Sequence, residues 1–210
     1  MKIAITGASG LIGSALVPHL RARGDDVIRL VRRPATTPDE ASWDPNAGTV
    51  DLDALAGVEA VVHLAGAGVG DHRWSDDYKK QILDSRVNGT HTIVRAMTEL
   101  DLPPRALIAG SAIGWYGNTG DHAVDESAPA GTGFLADVVA AVLPDVVRAL
   151  PGKSVAGAPP PLFGCVRGPT DWGASAPGSV VRCGGASGAW GHTGAHTLGG
   201  YTLGVYSLGL

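Results

Sequence analysis

The sequence predicts an α/β protein with a doubly wound parallel sheet, and two features of the chain predict it. Short apolar runs typical of buried strands alternate with longer stretches whose apolar residues recur at helical spacing. The runs at 2–6, 60–65 and 106–109 are each followed directly by a glycine. In such sheets ligands bind beyond the carboxyl ends of the strands, which is where these glycines are expected to lie.

The glycine-rich segment 7–13 after the first strand predicts a dinucleotide-binding turn. Gly7 permits a tight turn, Gly10 lets a pyrophosphate approach the backbone, and Gly13 lets helix and strand pack closely. The free N–H groups of the following helix would face the phosphates. An ordinary strand-to-helix turn is the alternative. A nucleotide P-loop is excluded because no Lys-Ser or Lys-Thr follows the glycines.

The remaining elements follow the order expected of a Rossmann-like fold. We predict a first helix closed by Gly24, a strand over 27–31, a Pro- and Thr-rich loop carrying 42–45, a short helical piece around Leu52 and Leu55, a strand over 60–66, a helix capped by Ser75 that runs to Leu100, a strand over 106–109, and a helix that opens at Phe134.

The end of the second strand indicates the type of coenzyme. An NAD site would place a carboxylate there to accept hydrogen bonds from the ribose hydroxyls. This chain has Arg32 and Arg33 instead, and no carboxylate occurs until Asp39. Guanidinium groups bind a 2′-phosphate through charge-assisted, planar hydrogen bonds. The sequence therefore favours NADP over NAD, unless the two arginines are only solvated surface charges.

Composition and charge exclude several classes of function. A net charge of −4 and a pI near 5.9 offer no basic surface for nucleic acid or an anionic membrane. No apolar run reaches the roughly 18 residues of a membrane span, and the first strand leaves no room for a signal peptide. The two cysteines, Cys165 and Cys183, lack metal-site spacing, and the pair His192 and His196 has neither a helix to bring both onto one face nor a third ligand. We expect a cytoplasmic protein with a small-molecule substrate and no metal; the oligomeric state stays open.

Landmarks spread over residues 1–139 resemble the short-chain dehydrogenase/reductase superfamily of the extended type, and in particular its atypical epimerase branch, the NAD-dependent epimerase/dehydratase-like oxidoreductases. They are the 6–13 turn, Arg32-Arg33-Pro34, Trp43-Asp44, His63-Leu64-Ala65-Gly66, Trp74, Ser85-Arg86, Gly110-Ser111-Ala112, Tyr116-Gly117 and Gly133-Phe134-Leu135-Ala136.

This resemblance implies where NADP is bound. Arg32 would meet the ribose phosphate, and Arg86 either reaches the coenzyme or forms an ion pair on the helix surface. His63 would lie near the adenosine and ribose, although a strand histidine is more commonly a packed residue than a base. The implied contacts are Gly7, Ala8, Ser9, Gly10, Leu11, Ile12, Gly13, Arg32, Arg33, His63, Leu64, Ala65, Gly66, Gln81, Arg86 and Ser111.

Catalysis is where the chain departs from the superfamily. Active members use a Tyr whose pKa is lowered by a Lys one helical turn later, and this chain contains no Tyr-x-x-x-Lys pair. Ser111 keeps the superfamily's substrate-binding serine position, and Tyr116 follows closely. By resemblance these two would polarise a carbonyl or carbinol oxygen, for example of a sugar nucleotide, during hydride transfer. A non-catalytic dinucleotide-binding protein is the alternative.

The last third of the chain changes in character. From residue 151 onward only Lys153, Arg167, Asp171 and Arg182 are charged, and Gly, Ala, Pro and Ser dominate. We predict a dinucleotide-binding domain over 1–150, incomplete at its C-terminal side, and an irregular, disordered tail over 151–210. Our hypothesis is that the reading frame shifts near Val139, which would leave an inactive product. A genuine Gly-rich appendage is the alternative.

Overall fold

The computed structural model describes residues 1–125, 128–148, 181–182 and 203–207. They divide into two compact units. The first contains residues 1–110 and 141–148, together with Ser207. The second contains the described residues of 111–140, with 181–182 and 203–206.

A mostly parallel sheet forms the centre of the first unit. Its strands are β1 (Lys2–Thr6), β2 (Asp26–Val31), β3 (Glu40–Asp44), β4 (Thr49–Val50), β5 (Ala60–His63) and β6 (Ala106–Ala112), in the order β4-β3-β2-β1-β5-β6. Among these six strands the β3–β4 pair is antiparallel and the other four pairs are parallel. In the register of β1 with β5, Thr6 lies opposite His63. β1 and β5 therefore end together at one edge, as their glycine-terminated runs predicted, whereas β6 continues through Gly110 to Ala112 and the prediction that Gly110 follows the strand is wrong.

The described residues form three α-helices: α1 (Leu11–Ala22), α2 (Asp76–Glu99) and α3 (Phe134–Arg148), of which α1 and α2 belong to the first unit. Gly24 follows α1 with a φ of +85°, a left-handed conformation that suits glycine. The Ser75 side chain accepts a hydrogen bond from the Tyr78 N–H, and Asp76 and Asp77 occupy the positive end of α2. No helix in the part of the chain that the structure describes is long and apolar enough to cross a bilayer.

One hydrophobic cluster of the first unit lies between the sheet and α1. Ile5 of β1 is fully buried, and it belongs to a cluster with Val17 and Leu20 of α1 and with Val27 and Val62 of the neighbouring strands. Burial of such aliphatic side chains contributes about 1.5–3 kcal/mol each. This cluster therefore fixes the position of α1 directly after the glycine turn.

The second unit contains a short 3₁₀ turn, Ile113–Tyr116, and the strand β7 (Ala123–Val124), which pairs antiparallel with β8 (Val181–Arg182). The strand β9 spans Leu203–Ser207. The Gly131 N–H donates to the Trp115 carbonyl at 2.8 Å. A Cβ at Gly131 would lie 2.1 Å from the Tyr116 carbonyl oxygen, so the chain passes too close there for any other residue.

Most predicted elements of residues 1–148 are confirmed, and two predictions are wrong. Residues 42–45 were expected in a loop, but 40–44 form β3, because Ala41 and Trp43 alternate into the core over a run too short to reveal its period. The helical piece around Leu52 and Leu55 is a series of turns.

The predicted tail is largely untested. The boundary at residue 150 and both His192 and His196 lie outside the described residues. Within 151–210 the structure describes only β8 and β9, two short strands where no periodic structure was expected. The sequence Leu-Gly-Val-Tyr-Ser of β9 contains the residue types that favour strands.

Candidate functional site

A tight glycine turn connects β1 to α1. Gly7 has a φ of +66°, and its carbonyl accepts the Gly10 N–H at 3.0 Å. The helix starts immediately, with the Ser14 N–H on the Gly10 carbonyl at 2.9 Å. The first turn of α1 carries no acidic residue. No carboxylate of that turn therefore competes for its free N–H groups or for the positive end of the helix dipole. A helix N-terminus of this kind binds phosphate.

Gly7 and Gly13 are both required by close backbone contacts. A Cβ at Gly13 would lie 2.3 Å from the Gly7 carbonyl oxygen and 2.6 Å from the Ala8 Cα. A Cβ at Gly7 would lie 2.8 Å from the Leu64 carbonyl carbon. Because these neighbours are backbone atoms, they cannot move aside cheaply. The turn therefore sits directly between α1 and the segment that follows β5.

A cleft of about 1440 Å³ opens over this turn, entirely within the first unit. It extends from the end of β2 past the glycine turn to the N-terminal part of α2. Of the residues predicted to contact a coenzyme, those that line it are Gly7, Ala8, Ser9, Gly10, Arg32, Arg33, Leu64, Ala65, Gly66 and Gln81. Leu11, Ile12, Gly13, His63, Arg86 and Ser111 are not among the lining residues.

The two arginines after β2 differ in their surroundings. Arg33 forms a two-pronged ion pair with Glu40, with Nη1–Oε2 and Nη2–Oε1 distances of 2.8 and 2.7 Å. Glu40 is buried and also accepts from the Thr36 N–H and from Arg29. Arg32 is exposed, and no ion pair within the described residues involves it. The structure thus leaves Arg32 as the guanidinium available at this end of the cleft.

A buried hydrogen-bond cluster joins β1 to β5 beneath the cleft. The Thr6 Oγ lies 2.7 Å from the His63 Nδ1, and it accepts the N–H groups of Leu64 and Ala65 at 3.1 and 3.2 Å. Burial, and secondarily the charge of Arg86, lowers the pKa of His63 to about 4. His63 is therefore a neutral packed residue at physiological pH, the reading that the sequence favoured over a catalytic base.

Side chains of α2 and Trp74 hold the loop that follows. Arg86 is mostly buried and donates through Nη1 to the carbonyls of Ala67 and Ile82, at 2.9 and 3.1 Å, and no ion pair within the described residues involves it. The Tyr78 hydroxyl donates to the Gly68 carbonyl, and the Trp74 Nε1 donates to the Val69 carbonyl at 2.7 Å. Three consecutive carbonyls are thus fixed by three side chains. Arg86 thus binds the loop and forms no ion pair within the described residues, and its contact with the coenzyme stays a prediction.

The two predicted catalytic residues belong to the second unit. Ser111 and Tyr116 are both buried, at 7% and 4% exposed. Within the part of the chain that the structure describes, the Ser111 Oγ and the Trp115 Nε1 have no hydrogen-bond partner. A buried polar atom left without a partner costs about 1–3 kcal/mol. Ser111, at the end of β6, and Trp115, in the 3₁₀ turn that follows, therefore place unsatisfied polar groups in this unit.

A family model decides the classification of the chain. The model of the NAD dependent epimerase/dehydratase family matches residues 3–134, which include the glycine turn, every residue that lines the cleft, and Ser111 and Tyr116. The chain belongs to this family. Its α/β fold and its parallel sheet agree with that membership, and the resemblance stated from the sequence is confirmed.

Individual members of the NAD-dependent epimerase/dehydratase family are similar over the same part of the chain. An epimerase family protein of Mycobacterium leprae is 45% identical over 136 residues, which cover 65% of this chain and 44% of that protein. The crystal structure of human epimerase family protein SDR39U1 with NADPH superposes with a TM-score of 0.63 at 27% identity, over 73% of this chain and 50% of that one. MoeE5 in complex with UDP-glucose and NAD gives 0.58 at 27% identity, over 71% and 49%. The chain thus spans about half the length of these relatives or less.

Sequence reasoning missed residues that organise the cleft, of which Thr6 and Glu40 do not line it and Ser85 does. Glu40 was not singled out, and its distance of seven residues from Arg33 gave no local signal. Thr6 was included only as part of the turn. Ser85, whose Oγ accepts the Ala67 N–H at 3.0 Å, was only a landmark. For Thr6 a signal existed in the sequence, because a threonine that ends a buried strand must find a partner for its hydroxyl.

Proposed function

We propose that this chain binds NADP in the cleft over its glycine turn and that it derives from an epimerase or oxidoreductase that transfers hydride to or from a carbonyl or carbinol carbon. The observation that carries the coenzyme choice is the contrast between the two arginines. Both line the cleft and are exposed, but Glu40 engages Arg33, whereas no ion pair within the described residues involves Arg32. A free guanidinium suits the 2′-phosphate that distinguishes NADP from NAD.

Several features support the fit of a dinucleotide. Backbone atoms around Gly7 and Gly13 leave no room for a Cβ, so both positions require glycine. A turn without side chains lets a pyrophosphate lie next to the first N–H groups of α1. The volume of the cleft exceeds that of common small-ligand pockets, as a two-part ligand requires. The human relative was crystallised with NADPH, and MoeE5 with NAD and UDP-glucose.

The chemistry that we propose follows from the coenzyme. The nicotinamide supplies or accepts the hydride, and the protein binds and orients it. Ser111 and Tyr116 would hydrogen-bond the substrate oxygen in place of a Tyr-x-x-x-Lys pair. The orphaned Ser111 hydroxyl supports this role because a ligand oxygen would satisfy it. A sugar nucleotide is the substrate class suggested by MoeE5.

Calorimetric titration of the full chain with NADP, NAD and 2′,5′-ADP tests the coenzyme. We expect NADP and 2′,5′-ADP to bind at least about tenfold more tightly than NAD, which corresponds to 1.4 kcal/mol. Equal affinities for NADP and NAD would contradict the role of Arg32. If the folded protein binds neither coenzyme, the proposal is wrong. NADPH oxidation with a panel of carbonyl compounds and UDP-sugars tests the activity.

A non-catalytic product is favoured by one observation. The family match ends at residue 134, close to Val139, where the composition changes, and the chain covers 44% of the Mycobacterium leprae relative. If the reading frame shifts there, the DNA downstream of codon 139 encodes the rest of the family's sequence in another frame. Sequencing of the locus decides this, since the absence of such a frame would support a genuine appendage. Tight NADP binding without any turnover would support a dinucleotide-binding protein.

A further inference from the structure

The Thr6 hydroxyl has more neighbours than it has protons, and this fixes the direction of its hydrogen bonds. A hydroxyl offers one proton and two lone pairs. The N–H groups of Leu64 and Ala65 both point at the Thr6 Oγ and can only donate, so they occupy its acceptor capacity. The single hydroxyl proton is left for the His63 Nδ1, which lies 2.7 Å away.

We propose that Thr6 and His63 are a positioning pair for the dinucleotide cleft. In this pair the Thr6 hydroxyl donates to the unprotonated Nδ1 of a neutral imidazole that carries its proton on Nε2. The pair thereby holds the segment 64–66 against the glycine turn. The arrangement of the pair stands on its own contacts, whereas its effect on NADP rests on the proposed function.

The surroundings of the imidazole hold it in this orientation. Its far edge packs on α2 at Gly89, where a Cβ would lie 3.3 Å from the His63 Cε1 and 3.4 Å from the Nε2. Trp43 meets the ring edge to face, with 6.1 Å between centroids. The charged group that acts on it is Arg86, which together with burial disfavours a second proton on the ring. A ring enclosed in this way keeps one tautomer.

The segment that the pair holds forms one wall of the cleft. Leu64, Ala65 and Gly66 line it, and the Leu64 backbone approaches Gly7 so closely that a Cβ there would lie 2.8 Å from its carbonyl carbon. A shift of this segment by a few tenths of an ångström would therefore move the glycine turn as well. The Thr6 hydroxyl is the one group of β1 that bonds to both His63 and the segment.

Nitrogen-15 NMR of the full chain tests the tautomer without any coenzyme. We expect His63 to show a protonated Nε2 and a pyridine-like, hydrogen-bonded Nδ1 between about pH 5.5 and 8, with no titration in that range. A proton on Nδ1, or an imidazolium signal at neutral pH, would overturn the pair.

Matched variants test its effect on the cleft. Thr6→Val keeps the shape of the side chain and removes the hydroxyl, whereas Thr6→Ser keeps the hydroxyl. Likewise His63→Leu removes the acceptor, and His63→Asn retains an oxygen close to the Nδ1 position. We expect Thr6→Val and His63→Leu to weaken NADP binding about tenfold, the effect of one hydrogen bond, and the two conservative variants to stay within about twofold.

The outcomes separate this inference from the proposed function. If the wild-type chain is folded and binds no NADP, the proposed function fails while the NMR result still decides the tautomer. If NADP binds, and folded Thr6→Val or His63→Leu binds it as tightly as the wild type, the positioning role is wrong. If neither Thr6→Val nor His63→Leu folds, the NADP affinity of His63→Asn is compared with that of an unrelated destabilised variant. An equal loss of affinity in these two variants would also overturn the role.

Discussion

Arg33 and Glu40 form a bidentate ion pair at the end of β2, with N–O distances of 2.8 and 2.7 Å. Glu40 is the first residue of β3, and the register of β2 with β3 sets it opposite Arg29. Its buried carboxylate therefore neutralises charge contributed by two arginines of β2 and its exit. Arg32, between them in sequence, is left outside this cluster.

Replacement of Arg32 with alanine is expected to change coenzyme preference. Hydrogen bonds to a charged group are worth about 1.5–3 kcal/mol, so Arg32→Ala should weaken NADP binding by about ten- to a hundredfold and leave NAD binding within about twofold. Calorimetry with both coenzymes measures this. Arg23→Ala is the matched control, because Arg23 pairs with Asp25 and does not line the cleft. Equal loss for NADP and NAD would show that Arg32 acts on something other than the 2′-phosphate.

The loss of folding stability at low pH should depend on Glu40. Hydrogen bonds from Arg33 and the Thr36 N–H lower the pKa of Glu40 from 4.5 to about 2. A group whose pKa is lowered in the folded state stabilises the protein above its unfolded pKa, and this contribution is lost as the pH falls from about 4.5 to 2. Glu40→Gln should therefore lower the melting temperature at pH 7 and flatten its decline in that window. Thermal unfolding followed from pH 7 to 2 measures both, and an unchanged slope would contradict the assignment.

Much of the cleft was predictable because its determinants are local. The glycine turn, the capped start of α2 at Ser75 and the glycine that follows β5 are each determined by a few adjacent residues. The ion pair that distinguishes Arg33 from Arg32 was not predictable, because Glu40 reaches Arg33 only after β3 pairs with β2. The contacts of Arg86 were hidden for the same reason, since its acceptor Ala67 lies 19 residues away along the chain.

Gly13→Ala should damage both the fold and the cleft. Its Cβ would lie 2.3 Å from the Gly7 carbonyl oxygen, so α1 must move away from the turn. Overpacking of this kind costs about 1–3 kcal/mol, more than the helix gains from alanine. We expect a lower free energy of unfolding in denaturant titrations and no measurable NADP binding. Ser14→Ala, on an exposed position of the same helix, is the control and should keep both properties.

Gly89→Ala tests whether the ring of His63 is held in place. In the interior of α2, alanine should stabilise the helix by about 1 kcal/mol relative to glycine. Here the new methyl group would lie 3.3 Å from the His63 Cε1, and Thr6 and Trp43 leave the ring no direction in which to retreat. We therefore expect a net loss of about 1 kcal/mol in the free energy of unfolding.

A double-mutant cycle assigns that loss to the ring. His63→Asn removes the Cε1 and Nε2 atoms that meet Gly89, so in that background Gly89→Ala should stabilise the protein instead. Asn88→Ala, at the preceding position of α2, gives the propensity effect alone and should be the same in both backgrounds. If Gly89→Ala stabilises the wild-type protein as much as the His63→Asn variant, the imidazole moves freely. Its contact with α2 then has no part in holding Thr6 and the wall of the cleft.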